Sequence, residues 1–113
     1  KKMIKLKFRA VNRDIFEAIR SGAKKVETRA ATEKFRDIKN GDVIMLVCED
    51  DAFTKTVKRA EIFGSIGALL EKYAPKDINP VYKTAKELRA MFYSFPNYKE
   101  KIRKHGLIAL ELE

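Results

Sequence analysis

Ser21-Gly22-Ala23-Lys24-Lys25-Val26-Glu27-Thr28-Arg29 is the stretch on which the fold turns. It joins a helical pattern on one side to an extended pattern on the other, with Gly22 allowing the sharp reversal between them. Before it, Ile15, Phe16 and Ile19 form one apolar stripe. Asn12 can cap a helix over residues 13 to 21, with Val11 and Phe16 at staple positions. After it, residues 25 to 30 read as a strand. On an extended strand Glu27 and Arg29 are two apart and share a face, while Val26 and Thr28 point to the other. Lys24, at the turn, is close enough to reach the same region, which puts two cations beside one carboxylate. Such a trio can bind phosphate through Arg29, hold a base edge or a backbone oxygen through Lys24, and orient both through Glu27. On spacing alone the plainer reading is an exposed strand carrying an ordinary ion pair, because surface pairs of this kind contribute little.

The flanking sequence supplies the rest of the architecture. Ile4, Leu6 and Phe8 alternate with Met3, Lys5 and Lys7, which predicts an opening strand with one buried face and a basic face outward. Thr32 to Asn40 reads as a long basic loop carrying Lys34, Arg36 and Lys39 around Phe35 and Ile38. Asn40-Gly41 signals a turn, Val43 to Cys48 a fully buried strand, and Glu49 to Ala52 a turn into a strand near residues 54 to 63, so these two strands form a hairpin. Ser65 caps a helix with Ile66, Leu69, Leu70 and Tyr73 inward, ended by Pro75. Thr84 and Glu87 form a capping-box pair ahead of a helix over residues 85 to 94. Pro96 starts a short basic helical turn through Lys104, Gly106 ends it, and Leu107 to Leu112 alternates as a last strand. Strands cluster rather than alternate with helices, which favours an α+β barrel over a parallel doubly wound sheet. Closure would hide the edges of such short strands, with helices plugging one end or flanking the sheet.

The chain has 113 residues, 45% of them hydrophobic, enough for one core but short of two independent ones, so residues 1–113 are expected to form a single domain. No repeat period or linker-like segment interrupts it. The apolar run Val43 to Cys48 is far too short to span a membrane and the N-terminus lacks a signal-like apolar region, so a soluble, cytoplasmic protein is expected. The single cysteine, Cys48, reads as a small buried residue. His105 stands alone and no carboxylate cluster has ligand spacing, so no metal and no cofactor are expected. Twenty-five Lys and Arg against sixteen Asp and Glu give a formal charge of +9. Polyanions are the natural partners, bound in a salt-sensitive way. The chain also has no glutamine and is 36% charged, so part of the lysine can reflect a heat-adapted or compositionally biased source.

The order Gly22, Lys24, Glu27, Arg29 matches the G-x-K-x-x-E-x-R signature of the ASCH family, which belongs to the PUA-like superfamily of RNA-associated barrels. The resemblance extends to the helix ending in Ser21-Gly22, to Asp37-Ile38-Lys39-Asn40-Gly41-Asp42-Val43 leading into a strand, and to the closing Gly106-Leu107-Ile108-Ala109-Leu110. It implies a mixed β-barrel with flanking helices and a cleft beside the signature strand, into which Lys24, Glu27 and Arg29 project toward RNA or a nucleotide-like ligand. Some small members of that family resemble amidohydrolases acting on N4-acetylcytidine nucleosides, and ribonuclease activity has also been linked to it. The amidohydrolase branch uses a Lys, a Thr and an acidic residue. A gap-free match sets the Lys on Lys24, the Thr on Glu27, and the acidic residue within Glu71 to Asp77. The hydroxyl nucleophile is therefore missing, and strand parity turns Thr28 to the opposite face. Were the chain an enzyme, Lys24 with a lowered pKa would act as base and Glu27 would orient the nucleophile.

Further candidates for RNA contact are Arg9, Lys34 and Arg36 near the signature, and Tyr73, Tyr93, Phe95 and Tyr98 as base-stacking rings. The last three lie among Lys99, Lys101, Arg103 and Lys104, a mixture of rings and cations that single-strand binders use. An amphipathic helix packed on the barrel is the competing explanation. Three functions remain: an RNA-binding module, a nucleoside or RNA hydrolase, and an interaction domain docking an acidic protein partner.

Overall fold

The computed structural model describes residues 3–113. Lys1 and Lys2, to which the sequence reading assigns no role, lie outside the described residues. Five strands, β1 (Met3–Phe8), β2 (Val26–Ala30), β3 (Val43–Cys48), β4 (Asp51–Phe63) and β5 (Leu107–Leu112), form one mixed sheet in the order β1-β3-β4-β5-β2. β1 runs parallel to β3, and the other three pairings are antiparallel. The helices are α1 (Arg13–Ser21), α2 (Ile66–Lys72), α3 (Pro75–Ile78), α4 (Ala85–Ser94) and α5 (Tyr98–His105), with a 3₁₀ turn at Ala10–Asn12 before α1.

The sheet curls because β4 belongs to two ladders. Its first part pairs with β3 from Asp51 to Thr56, its second with β5 from Val57 to Phe63, and the register shifts between Val57 and Arg59. An extra residue at such a point bends the strand and increases its twist. No ladder joins β1 to β2 among the described residues, so the expected closure does not occur: the sheet is an open half-barrel with β1 and β2 as its two edges.

Two apolar cores flank this sheet. Phe16 and Ile19 of α1 pack with Ile4, Leu6, Ile44, Leu46, Cys48, Ile108 and Leu110. Ile66, Leu69, Leu88, Phe92 and Ile102 from the later helices pack with Val26, Phe63, Leu107 and Ala109. β5 thus sends alternate side chains into both cores, and Leu107 to Leu110 are all buried, where simple alternation was expected. For β3 the expectation inverts the other way. Ile44, Leu46 and Cys48 are buried, whereas Val43, Met45 and Val47 are only partly covered and join neither apolar core.

Local chemistry sets most element ends. Ser65 Oγ accepts the N–H of Ala68, and Thr84 and Glu87 form the reciprocal capping box. Gly22 closes α1 with φ 87° and turns the chain into β2. α1 starts at Arg13 with Asn12 at the N-cap position, as expected, but Asn12 makes no side-chain cap and Val11 is 73% exposed, so neither the expected cap bond nor the staple forms; a 3₁₀ turn precedes the helix, with the N–H of Asn12 donating to the carbonyl of Arg9. No helix among the described residues is long and apolar enough to cross a membrane.

Candidate functional site

The two unpaired edges of the half-barrel enclose a cleft of about 310 Å³, within the range of small-ligand sites. Lys7, Phe8 and Arg9 border it from β1, Lys24, Glu27, Thr28 and Arg29 from β2 and the turn before it, and Asn79, Phe95 and Tyr98 from the helical layer. Position in the fold explains this: β2 ends the strand order opposite β1, so one of its edges is unpaired and opens onto the cleft.

Lys24 is only 4% exposed and Glu27 6%. The trio is therefore a buried network, not the surface pair that spacing alone suggests. The Lys24 ammonium donates to the carbonyl oxygens of Val26, at 2.6 Å, and Ile78, and pairs with Glu27 at 3.4 Å. Its three hydrogens are accounted for, so Lys24 ties the turn before β2 to the end of α3 and does not reach out to a ligand. Burial pulls its pKa down, against the opposing pull of Glu27. For Glu27, burial pushes the pKa up, but the charges of Lys24 and Arg29 and their hydrogen bonds outweigh it and hold the carboxyl below its ordinary value. Arg29 grips Glu27 Oε2 through Nε at 3.2 Å and Nη2 at 3.0 Å, and the N–H of Thr28 donates to Oε1 at 3.3 Å. The Arg29 guanidinium lies 5.4 Å from the ring centre of Phe8 and 5.7 Å from that of Phe35, which holds its plane by cation–π contact. With its side chain 24% exposed, Arg29 is the member of the trio that can meet a ligand.

The remaining candidates divide. Arg9 borders the cleft. Lys34 and Arg36 do not: both are exposed in the loop after β2, with Lys34 over the outer part of Phe35 at 5.3 Å, so they belong to the surrounding basic surface. Tyr93 is also outside the cleft, 48% exposed, with Lys99 5.7 Å from its ring centre. Phe95, 42% exposed, and Tyr98 border the cleft instead, and their rings meet edge-on at 5.1 Å. Tyr73 is buried and donates to Glu111 Oε2 at 2.6 Å, which makes it a core residue and not a stacking platform. Thr28 borders the cleft although strand parity pointed it away. Glu71 and Asp77 are not among the cleft residues, and Asp77 instead receives the N–H of Ala74.

Asn79 is a cleft residue that the sequence did not single out. Asn79 is 8% exposed and borders the cleft. It sits just before Pro80 in a segment with no periodic pattern, so no local signal separates it from an ordinary turn residue. Among the described residues no group of three His, Cys, Asp or Glu side chains is placed to hold a metal.

Fold and cleft define a small α+β half-barrel protein with a polar cleft between its edge strands. The crystal structure of hypothetical protein PH0355 has the same architecture, with a TM-score of 0.83 and 29% identity over 98% of this chain and 97% of that one. The solution structure of protein PF0455 from Pyrococcus furiosus matches with a TM-score of 0.74 and 30% identity over 99% of this chain and 94% of that one, and this chain belongs to the same family as PF0455. No family model and no curated protein matches the chain.

Proposed function

We propose that this chain is an ASCH-type domain of the PUA-like class, working in the cytoplasm, which binds RNA through one nucleotide held in the cleft between β1 and β2. The observation that carries this reading is Arg29. Its guanidinium is locked by Glu27 on one edge and by Phe8 and Phe35 on its faces, which leaves donors free for an anion at the cleft and little entropy to lose on binding. Arg9 and Lys7 border the same opening, and the formal charge of +9 favours a polyanion. The aromatic side chains of Phe95 and Tyr98 supply apolar surface for a base. Hydrolysis with Lys24 as base has less support, because that ammonium already donates to two carbonyls and a carboxylate.

The test is a fluorescence-anisotropy titration of labelled single-stranded and hairpin RNAs at several salt concentrations, with wild type, Arg29→Ala and Arg9→Ala. Binding that weakens with salt is expected, with Arg29→Ala weaker by about tenfold or more, as for loss of a charge-assisted contact. Absence of binding by wild type at low salt would defeat the proposal and leave docking of an acidic protein as the next reading.

A further inference from the structure

The unpaired edge of β2 has a gap one residue long in its hydrogen bonding. Ala31 donates its N–H to the carbonyl of Gly106, and the carbonyl of Lys25 accepts the N–H of Leu112, both at 2.9 Å. The odd-numbered residues of this stretch therefore turn their main chain toward β5. In an antiparallel ladder the N–H and C=O of one residue point the same way, and the direction alternates along the strand. Val26, Thr28 and Ala30 thus turn theirs to the free edge. Two of the three are covered there. Val26 C=O accepts the Lys24 ammonium at 2.6 Å. Ala30 donates its N–H to the Tyr98 hydroxyl at 3.1 Å, and its C=O accepts the N–H of Thr32 at 2.8 Å.

Thr28 stands between these covers and borders the cleft. Its C=O accepts no hydrogen bond from the described residues. Its N–H donates to Glu27 Oε1 at 3.3 Å, longer than either bond from Arg29 to that carboxylate. Such a hydrogen can be shared with a second acceptor in a three-centre bond. Strand parity turns the Thr28 side chain away from the face of Glu27 and Arg29. What Thr28 offers at the open edge is therefore its main chain, a donor and an acceptor side by side.

An unpaired edge ordinarily invites another strand. Here an added strand would find both of its partners only at Thr28, because Val26 C=O and both groups of Ala30 are taken. The gap fits instead a flat group that presents one donor beside one acceptor, and the Watson–Crick edge of an unpaired nucleobase is such a group. We infer that the nucleotide in the cleft is held by its Watson–Crick edge on the main chain of Thr28, so that the site takes bases with that edge free and refuses bases with it blocked. The inference rests on the nucleotide-binding reading of the cleft and adds how the base is held. All four bases carry a donor beside an acceptor on this edge, so the contact sorts free edges from blocked ones and does not rank the bases. A free nucleotide and one residue of a single-stranded RNA share that chemistry.

The test is calorimetric titration at low salt with uridine, 3-methyluridine and 5-methyluridine, each as the 5′-monophosphate and as a single-stranded oligonucleotide, in wild type, Thr28→Val and Thr28→Pro. The two methyl groups add the same bulk, one on the Watson–Crick edge and one off it. Wild type is expected to bind the 3-methyl ligand more weakly than the 5-methyl ligand by about tenfold or more, as for two lost hydrogen bonds. Thr28→Val keeps the main chain and should keep that ratio. Thr28→Pro removes an N–H that faces away from β5, a place where an edge strand tolerates proline, and should weaken the uridine ligand and shrink the ratio. An oligonucleotide much tighter than its monophosphate assigns the site to an RNA chain, and equal affinities assign it to a free nucleotide, both with the edge contact upheld. Equal affinity for the 3-methyl and 5-methyl ligands in wild type overturns the inference while leaving the nucleotide reading intact. So does loss of the ratio in Thr28→Val, or its full retention in folded Thr28→Pro. If no nucleotide or oligonucleotide binds, both fail. The wild-type ranking and Thr28→Val decide the matter even where Thr28→Pro folds poorly.

Discussion

Lys24 and Arg29 carry the same charge, yet their surroundings give them different work. Lys24 is buried, with a hydrogen bond to the carbonyl of Ile78, 54 residues away, so Lys24→Met should act on stability. Removing one member of a buried ionic network typically costs about 3–5 kcal/mol, and urea unfolding at neutral pH should register a loss of that order. Arg29→Ala leaves Lys24 beside Glu27 and should mainly weaken ligand binding. Glu27 also sets an acid limit. Its folded pKa lies below its ordinary value of 4.5, so between those two values the unfolded chain binds a proton that the native chain does not. Stability from this group is therefore complete above about pH 4.5 and disappears as pH falls through the folded pKa. Glu27→Gln should be less stable than wild type at pH 6, with the difference shrinking as urea unfolding is repeated at lower pH. The trio itself was legible in the sequence because strand spacing is local. Its burial was not, because that depends on α3 and the helical layer.

At the scale of elements, two glycines of positive φ make a contrast. Gly22, φ +87°, has nothing within 4 Å of where a Cβ would stand, so Gly22→Ala should cost only the left-handed backbone penalty of about 1–2 kcal/mol. At Gly106, φ +77°, a Cβ would lie 2.5 Å from the carbonyl oxygen of Phe63 in β4. Gly106→Ala should therefore be the more destabilising, since β4 or the start of β5 must move in addition to the backbone strain of about 1–3 kcal/mol. Thermal unfolding of the two variants ranks them. Thr84→Ala removes both the acceptor for the Glu87 N–H and a partner of its carboxylate, and the same measurement should show a loss of about 1 kcal/mol. The helices capped by Ser65 and Thr84 were readable because capping needs only neighbours in sequence. The bounds of α1 were readable as well, but the cap bond expected of Asn12 and the staple expected of Val11 do not form, and a 3₁₀ turn precedes the helix.

For the whole molecule, the charge of +9 should appear as a steep salt dependence of RNA affinity. Each phosphate contact removed from a single-stranded complex should lower the magnitude of the log–log slope by about 0.7, so anisotropy titrations of Arg29→Ala and Arg9→Ala should each give a shallower line than wild type if each meets a phosphate. The sequence by itself determined the order of elements, most of their ends, the excess of positive charge, and the spacing that joins Glu27 to Arg29. These follow from periodicity, cap chemistry and composition, which act over a few residues. Only the tertiary structure decided that the sheet stays open between β1 and β2, that β5 is buried on both faces while β3 is not, and that Lys24 is spent on the backbone. It also decided that Asn79 belongs to the cleft whereas Lys34, Arg36 and Tyr93 stand outside it. The reason is physical: burial and hydrogen-bond satisfaction depend on what packs against a residue from distant parts of the chain, and that partner leaves no mark in the local pattern.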